Sequence, residues 1–125
     1  MLAGFLEAIG PEGLFRMMTG FPNKSAEAVC IYALMNLDRL GHGDGNDSSV
    51  SEPSVKERTI LFFRGVVRGQ IVEPRRGSPN MGWGWDPIFE EERSRLTFAE
   101  MDAEVKSKFS HRANALKVFQ AFLEM

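Results

Sequence analysis

Residues 82–87, Gly-Trp-Gly-Trp-Asp-Pro, constrain this chain more than any other stretch. Two glycines in six residues, closed by a proline, cannot form a helix interior or a regular strand. Glycine has too much backbone freedom to lose, and proline brings no ladder N–H. The chain must turn here, and both of its tryptophans, Trp83 and Trp85, fall in the turn. A large aromatic side chain ordinarily fills a core, yet an indole flanked by glycines on a loop is well placed to stack on a flat ligand. The segment reads as the wall of a pocket.

The rest of the chain supplies one core. A length of 125 residues suits a single domain over 1–125, burying about two-thirds of its unfolded surface. Apolar and charged contents of 43% and 26% are those of an ordinary globular protein. A formal net charge of −2 provides no general attraction to nucleic acid or anionic membrane, so neither is an expected partner. One cysteine, Cys30, excludes an intrachain disulfide and fits a reducing compartment. It lies in the apolar run 28–35, where a buried, inert thiol is expected. No stretch is long enough to span a bilayer, and the first residues lack the basic region of a signal peptide. The cytoplasm is the expected location.

Periodicity places the elements. Leu2, Phe5, Leu6 and Ile9 recur at helical spacing, Gly10-Pro11 interrupts, and Leu14, Phe15 and Met18 give a second helical piece an apolar face. Residues 26–37 suit a buried strand. The stretch from Gly41 to Pro53 is rich in Gly, Ser and Asp, and 41–57 is expected to be a flexible surface loop. Its His42 and aspartates are left unorganised as metal ligands by the glycines between them. Residues 59–72 read as β structure, with Gly65 and Gly69 marking a bend, bulge or hairpin turn. Arg75 and Arg76 read as a solvated pair on a turn. Ile88-Phe89 fits a short strand, and Glu90-Glu91-Glu92 a solvated acidic run that forms no metal site.

Thr97-Phe98-Ala99-Glu100 has the form of a capping box and predicts a helix from Phe98 towards Lys108. Ser110 then caps a last helix whose predicted apolar face is Leu116, Phe119, Phe122 and Leu123. The order of elements implies an α/β fold, a mixed β-sheet flanked by helices.

The turn at 82–87 followed by Ser110-His111-Arg112 resembles the inosine triphosphate pyrophosphatase family, in which a Gly-Phe-Gly-Trp/Tyr-Asp-Pro loop recognises the base and Ser-His-Arg opens the last helix. Phe5-Leu6-Glu7, Pro11-Glu12-Gly13-Leu14, Asn23-Lys24-Ser25-Ala26, Phe63-Arg64-Gly65, Gly69-Gln70-Ile71-Val72 and Thr97-Phe98-Ala99-Glu100-Met101 follow the family's order. Trp83 stands where the family usually has Phe, the loop after Leu40 looks like an insertion, and residues 1–4 diverge.

The resemblance implies hydrolysis of deaminated purine nucleoside triphosphates to the monophosphate and pyrophosphate, a magnesium cofactor and a homodimer. It covers the C-terminal part of the family. The N-terminal Ser/Thr-x-Asn-x-x-Lys phosphate motif and the acidic residues that hold magnesium and activate water are missing. Residues 19–24 have the wrong spacing for that motif. The catalytic residues are therefore not identified, and a fragment that binds nucleotide or a partner without hydrolysing it is the alternative.

By the same resemblance the substrate-binding residues are Trp83, Gly84, Trp85, Asp86, Lys106, His111 and Arg112. An inosine-type base offers a flat ring, an oxo acceptor and a ring N–H. Trp83 can stack, for roughly 1–3 kcal/mol. Asp86 can accept from the ring N–H, Arg112 can donate to the oxo group, and Trp85 can brace the loop. Lys106 matches the spacing of a family lysine that contacts the nucleotide. His111 and Arg112 fall in the first turn of the last helix, where free amides favour an electron-rich atom.

Overall fold

A computed structural model describes residues 2–35, 59–75 and 84–125. In chain order these form α1 (Leu2–Met17), β1 (Ser25–Met35), β2 (Ile60–Ile71), a 3₁₀ turn (Asp86–Ile88), β3 (Phe89–Glu91), α2 (Ala103–Phe109) and α3 (His111–Leu123). The α/β expectation holds, with described strands that pair antiparallel throughout in the order β1-β2-β3. The expected loop at 41–57, Arg76 and Trp83 lie outside the described residues. No described helix is long and apolar enough to cross a membrane.

Helix α1 breaks where the sequence predicts. Gly10 takes φ 64° and ψ 178°, a non-helical conformation, and Pro11 starts the second piece.

β2 is one uninterrupted strand, which corrects the expected bend or hairpin at Gly65 and Gly69. Both glycines mark close approach instead. A Cβ on Gly65 would lie 2.1 Å from the Ala115 backbone nitrogen and 2.2 Å from the His111 carbonyl oxygen. One on Gly69 would lie 2.1 Å from the Glu90 carbonyl oxygen and 2.8 Å from the Phe89 ring. The missing side chains let α3 and β3 sit against the strand.

α3 crosses the face of the sheet that presents Ala28, Phe63 and Val67. Its contact row is His111, Ala115, Phe119 and Phe122, one helical stripe. Ala115 is fully buried, Phe119 meets Phe63 edge-on at 5.0 Å, and Phe122 lies 5.2 Å from the same ring. Phe119 and Phe122 were expected on this face. Leu116 and Leu123 were expected there too, but both are exposed, because the close contact passes through the small Ala115. Asn114 fastens the helix further by donating to the Val66 carbonyl at 3.1 Å.

The strand β1 is less buried than its composition suggests. Ala28 is buried, Cys30 half-buried, and most other β1 residues exposed. The sheet face opposite α3 carries Val29, Ile31, Met35, Ile60 and Phe62, and Phe62 is 68% exposed.

The capping box forms, with Thr97 N–H donating to Glu100 at 3.0 Å and Glu100 N–H to the Thr97 hydroxyl at 3.3 Å. It closes a turn and not the predicted helix. Thr97, Phe98, Ala99 and Met101 are all buried, a wider arc than the one apolar stripe of a surface helix covers. α2 begins later, where Asp102 accepts from the Val105 N–H at 2.8 Å. The turn packs with Ala28, Val67 and Phe89 as the core.

Gly65→Ala should destabilise the fold by roughly 1–3 kcal/mol or more through forced displacement of α3. Gly20→Ala, where an added Cβ meets nothing within 4 Å, should be nearly neutral. Urea unfolding followed by circular dichroism measures both.

Candidate functional site

The site forms where the 3₁₀ turn faces the junction of α2 and α3. Asp86 opens that turn, with Pro87 in its first positions, and is buried. Three hydrogen bonds hold the turn in place. The Asp86 carbonyl accepts from Ala99 N–H at 3.2 Å, the Pro87 carbonyl from Arg75 N–H at 2.9 Å, and the Ile88 carbonyl from Val72 N–H at 2.8 Å.

Ser110 builds the opposite wall. Its N–H donates to the Lys106 carbonyl at 2.8 Å, ending α2, and its hydroxyl accepts from Ala113 N–H at 3.1 Å, starting α3. One residue closes one helix and opens the next, as its N-cap role predicts. Lys106 on the last turn of α2 is thereby set beside His111 and Arg112 on the first turn of α3.

Between these walls lies a cleft of about 370 Å³ lined by Trp85, Asp86, Lys106, Ser110, His111 and Arg112, with Ala103 and Ser107 at α2. Five predicted site residues therefore meet. The Asp86 carboxylate and Lys106 ammonium form an ion pair at the cleft floor, and that ammonium also sits 5.7 Å from the Phe98 ring centroid. Arg112 is exposed at the rim. Gly84 sits just before the turn with φ 64°, and a Cβ there would come within 3.0 Å of Leu6 on α1. Its absent side chain serves both the left-handed backbone and this contact.

Trp85 and His111 share an aromatic stack. The Trp85 ring is 5.5 Å from Phe89, 5.7 Å from Phe98 and 5.4 Å from His111. The imidazole lies nearly parallel to Phe98, at 7° and 5.9 Å. His111 is buried, and its Nδ1 is the one buried side-chain nitrogen or oxygen without a partner among the described residues. Burial holds its pKa below the ordinary histidine value, helped by the nearby charges of Arg112 and Lys106 and opposed by Asp86. It is a neutral ring with one polar atom awaiting a partner.

A second charged cluster was misread from sequence. Glu90 and Glu91, expected to be solvated, are 7% and 4% exposed, whereas Glu92 is exposed. Glu90 accepts from Gln70 at 2.8 Å, pairs with Arg75, and faces Arg95 at 3.5 Å. Glu91 accepts from the backbone N–H groups of Arg93 and Ser94 at 3.0 and 2.6 Å. Burial alone would raise both carboxyl pKa values. For Glu90, the bonds from Gln70 and Arg75 and the charges of Arg75 and Arg95 outweigh it. For Glu91, the bonds from Ser94 and Arg93 and the Arg93 charge do so. Both remain below the usual range. Arg75, expected to be solvated, is half-buried in this network. The run of three glutamates is visible in the sequence, but the partners Gln70 and Arg75 are too distant along the chain to be read from it.

A wider trough of about 690 Å³ lies along the sheet, lined by Ser25, Glu27, Arg68, Gln70, Glu92 and Arg95 among others. Its charges largely face one another, with Arg68 3.4 Å from Glu27. The smaller cleft gathers the ion pair, the aromatic wall and the His111 imidazole, and is the candidate site.

Fold and cleft together define an α/β chain with a polar, aromatic-walled cleft. The Ham1 family model matches residues 6–122, and the chain belongs to that family. It is 44% identical over 119 residues to the inosine triphosphate pyrophosphatase of Emericella nidulans, a match covering 95% of this chain and 52% of that protein. An inosine triphosphate pyrophosphatase of Aspergillus fumigatus is 40% identical over 120 residues, covering 96% and 52%. The structure of the Staphylococcus aureus Ham1 protein superposes with a TM-score of 0.70 at 28% identity, covering 95% of this chain and 50% of that one. The chain thus spans about half the length of the curated relatives it matches.

The neutral, buried His111 makes stability pH-dependent. Below the ordinary value of 6.5 the unfolded chain takes up a proton that the folded chain resists, so stability falls as pH drops below 6.5. The loss is at most about 1.4 kcal/mol per pH unit between the unfolded and folded values. Urea titrations at neutral and mildly acidic pH should show this slope, and His111→Gln should flatten it. Glu90 and Glu91 act in a separate window, their stabilisation being lost as pH falls below 4.5 through their lowered values.

Proposed function

We propose that this chain carries the base-recognition part of a magnesium-dependent pyrophosphatase. The enzyme would convert inosine, deoxyinosine and xanthosine triphosphates to the monophosphate and pyrophosphate, clearing the nucleotide pool. The carrying observation is the cleft that unites Asp86, Lys106, His111 and Arg112 in a Ham1-family chain. In this reading Asp86 accepts the ring N–H of the base. Its pairing with Lys106 orients the carboxylate towards the cleft. Arg112 donates to the oxo group from the rim, and Lys106 stands near the nucleotide. Trp83 stacks on the base, Gly84 permits the turn, and Trp85 braces it. Adenine would bring an amino donor to a donor and present no ring N–H to Asp86, and unpaired buried groups discriminate strongly.

Magnesium would neutralise the polyphosphate and ready a water for attack. Among the described residues no three His, Cys, Asp or Glu side chains converge to hold a metal. Glu90 and Glu91 are occupied by Gln70, Arg75 and backbone amides. These residues do not fit a magnesium site.

The proposed assembly is a homodimer, favoured by the apolar sheet face at Val29, Ile31, Met35, Ile60 and Phe62. The free thiol of Cys30 fits the cytoplasm as the proposed compartment.

Pyrophosphate release from inosine and adenosine triphosphates with magnesium tests the activity. Release from inosine triphosphate alone supports it. No release, with quenching of tryptophan fluorescence by inosine monophosphate, would leave base recognition without hydrolysis. Arg112→Ala should lower inosine preference over adenosine about tenfold or more, and an unchanged ratio would remove its role. Phe62→Glu should shift the sedimentation equilibrium towards monomer, and an unchanged dimer would clear that face.

A further inference from the structure

Arg75 contacts most of what fixes the 3₁₀ turn. Its backbone N–H donates to the Pro87 carbonyl at 2.9 Å, and its own carbonyl accepts from the Thr97 hydroxyl at 3.3 Å. Its guanidinium pairs with the buried Glu90 through one terminal nitrogen and faces Glu100 at 3.5 Å through Nε. Glu100 in turn accepts from the Thr97 backbone N–H at 3.0 Å, and the single hydroxyl hydrogen of Thr97 is shared between Glu100 and the Arg75 carbonyl. The same turn returns Ala99 N–H to the Asp86 carbonyl at 3.2 Å. A closed ring of bonds therefore runs from Arg75 through Pro87 and Asp86 to Ala99, and back through Thr97.

We propose that Arg75 is a positioning residue for base recognition: its guanidinium, set between Glu90 and Glu100, anchors the backbone links of this ring and so fixes Asp86 at the cleft. It touches no cleft residue other than by holding the peptide units beside Asp86. The planar fork is essential to the role. One guanidinium can serve two carboxylates along separate edges, whereas an ammonium is a point charge that cannot keep both geometries. Glu90 is held from the other side by Gln70 and Arg95, so the anchor point itself is fixed. The proposal rests on the nucleotide reading above. The ring N–H of inosine is the group Asp86 would accept, and adenine has no such hydrogen, so misplacing Asp86 weakens inosine selectively.

Arg75→Lys in the full chain tests this, with Arg16→Lys as control, since Arg16 pairs with Glu12 at 3.1 Å on the exposed surface of α1. Amide hydrogen exchange in the unliganded chain reads the anchor directly. Exchange at Ala99 and at position 75 should accelerate about tenfold in Arg75→Lys while the β1–β2 ladder and the control stay unchanged. Tryptophan fluorescence titrations with inosine and adenosine monophosphates read the consequence. Inosine monophosphate should bind about tenfold more weakly and adenosine monophosphate nearly as before, given how steeply misplacement costs recognition. Unchanged protection at Ala99 overturns the anchor. Equal weakening of both nucleotides reduces Arg75 to a stability role and also overturns the proposal. Failure of the unaltered chain to bind inosine monophosphate overturns the nucleotide reading and the recognition role with it, while the exchange result still decides whether Arg75 holds the turn.

Discussion

The close approach of α3 to β2 at Gly65 is the constraint on which the site depends. Backbone meets backbone there, with no side chain between the strand and the Ala115 turn of the helix. That contact fixes both the depth and the rotation of α3. Ala115 and His111 lie four residues apart on one stripe, so seating the first against the strand turns the second inward. His111 therefore enters the aromatic stack of Trp85 and Phe98, and Arg112, one position on, faces the rim. The cleft inherits its geometry from a packing event on the sheet.

The second organising feature is the way buried charge is handled. A buried carboxylate survives only when paired and hydrogen-bonded. Glu90 meets this with Gln70, Arg75 and Arg95, Glu91 with backbone amides, and Asp86 with Lys106. The three solutions differ in consequence. Glu91 closes its own local turn. Glu90 ties β3 to the end of β2. Asp86 pairs across the cleft with a different helix, so its partner is part of the site.

Much of this was legible in the chain and some was not, for identifiable reasons. The break at Gly10-Pro11, the Ser110 cap and the strand near Phe89 were readable because each is a local rule satisfied by neighbouring residues. The glycines of β2 were misread because a glycine that bends a strand and one that admits a neighbour look the same in sequence. The box at Thr97 was recognised, yet it closes a turn, since burial of Phe98, Ala99 and Met101 overrides a helical start. Glutamates 90 and 91 read as solvated because a charge run ordinarily is. Within the site, the gathering of Asp86, Lys106, His111 and Arg112 followed from the motifs, whereas the burial of His111 had no local signal. Trp83 lies outside the described residues.

A neutral His111 beside two cations has a chemical meaning under the nucleotide reading. A protonated imidazole in the first turn of α3 would add a third positive charge next to Arg112 and Lys106, against the positive end of the helix dipole. Burial and those charges keep the ring neutral, leaving Asp86 as the counter-charge to Lys106. The cleft then presents opposed functions a few residues apart: a carboxylate that accepts and a guanidinium that donates, beside the neutral imidazole. A ligand with one donor and one acceptor on adjacent ring positions satisfies the first two together.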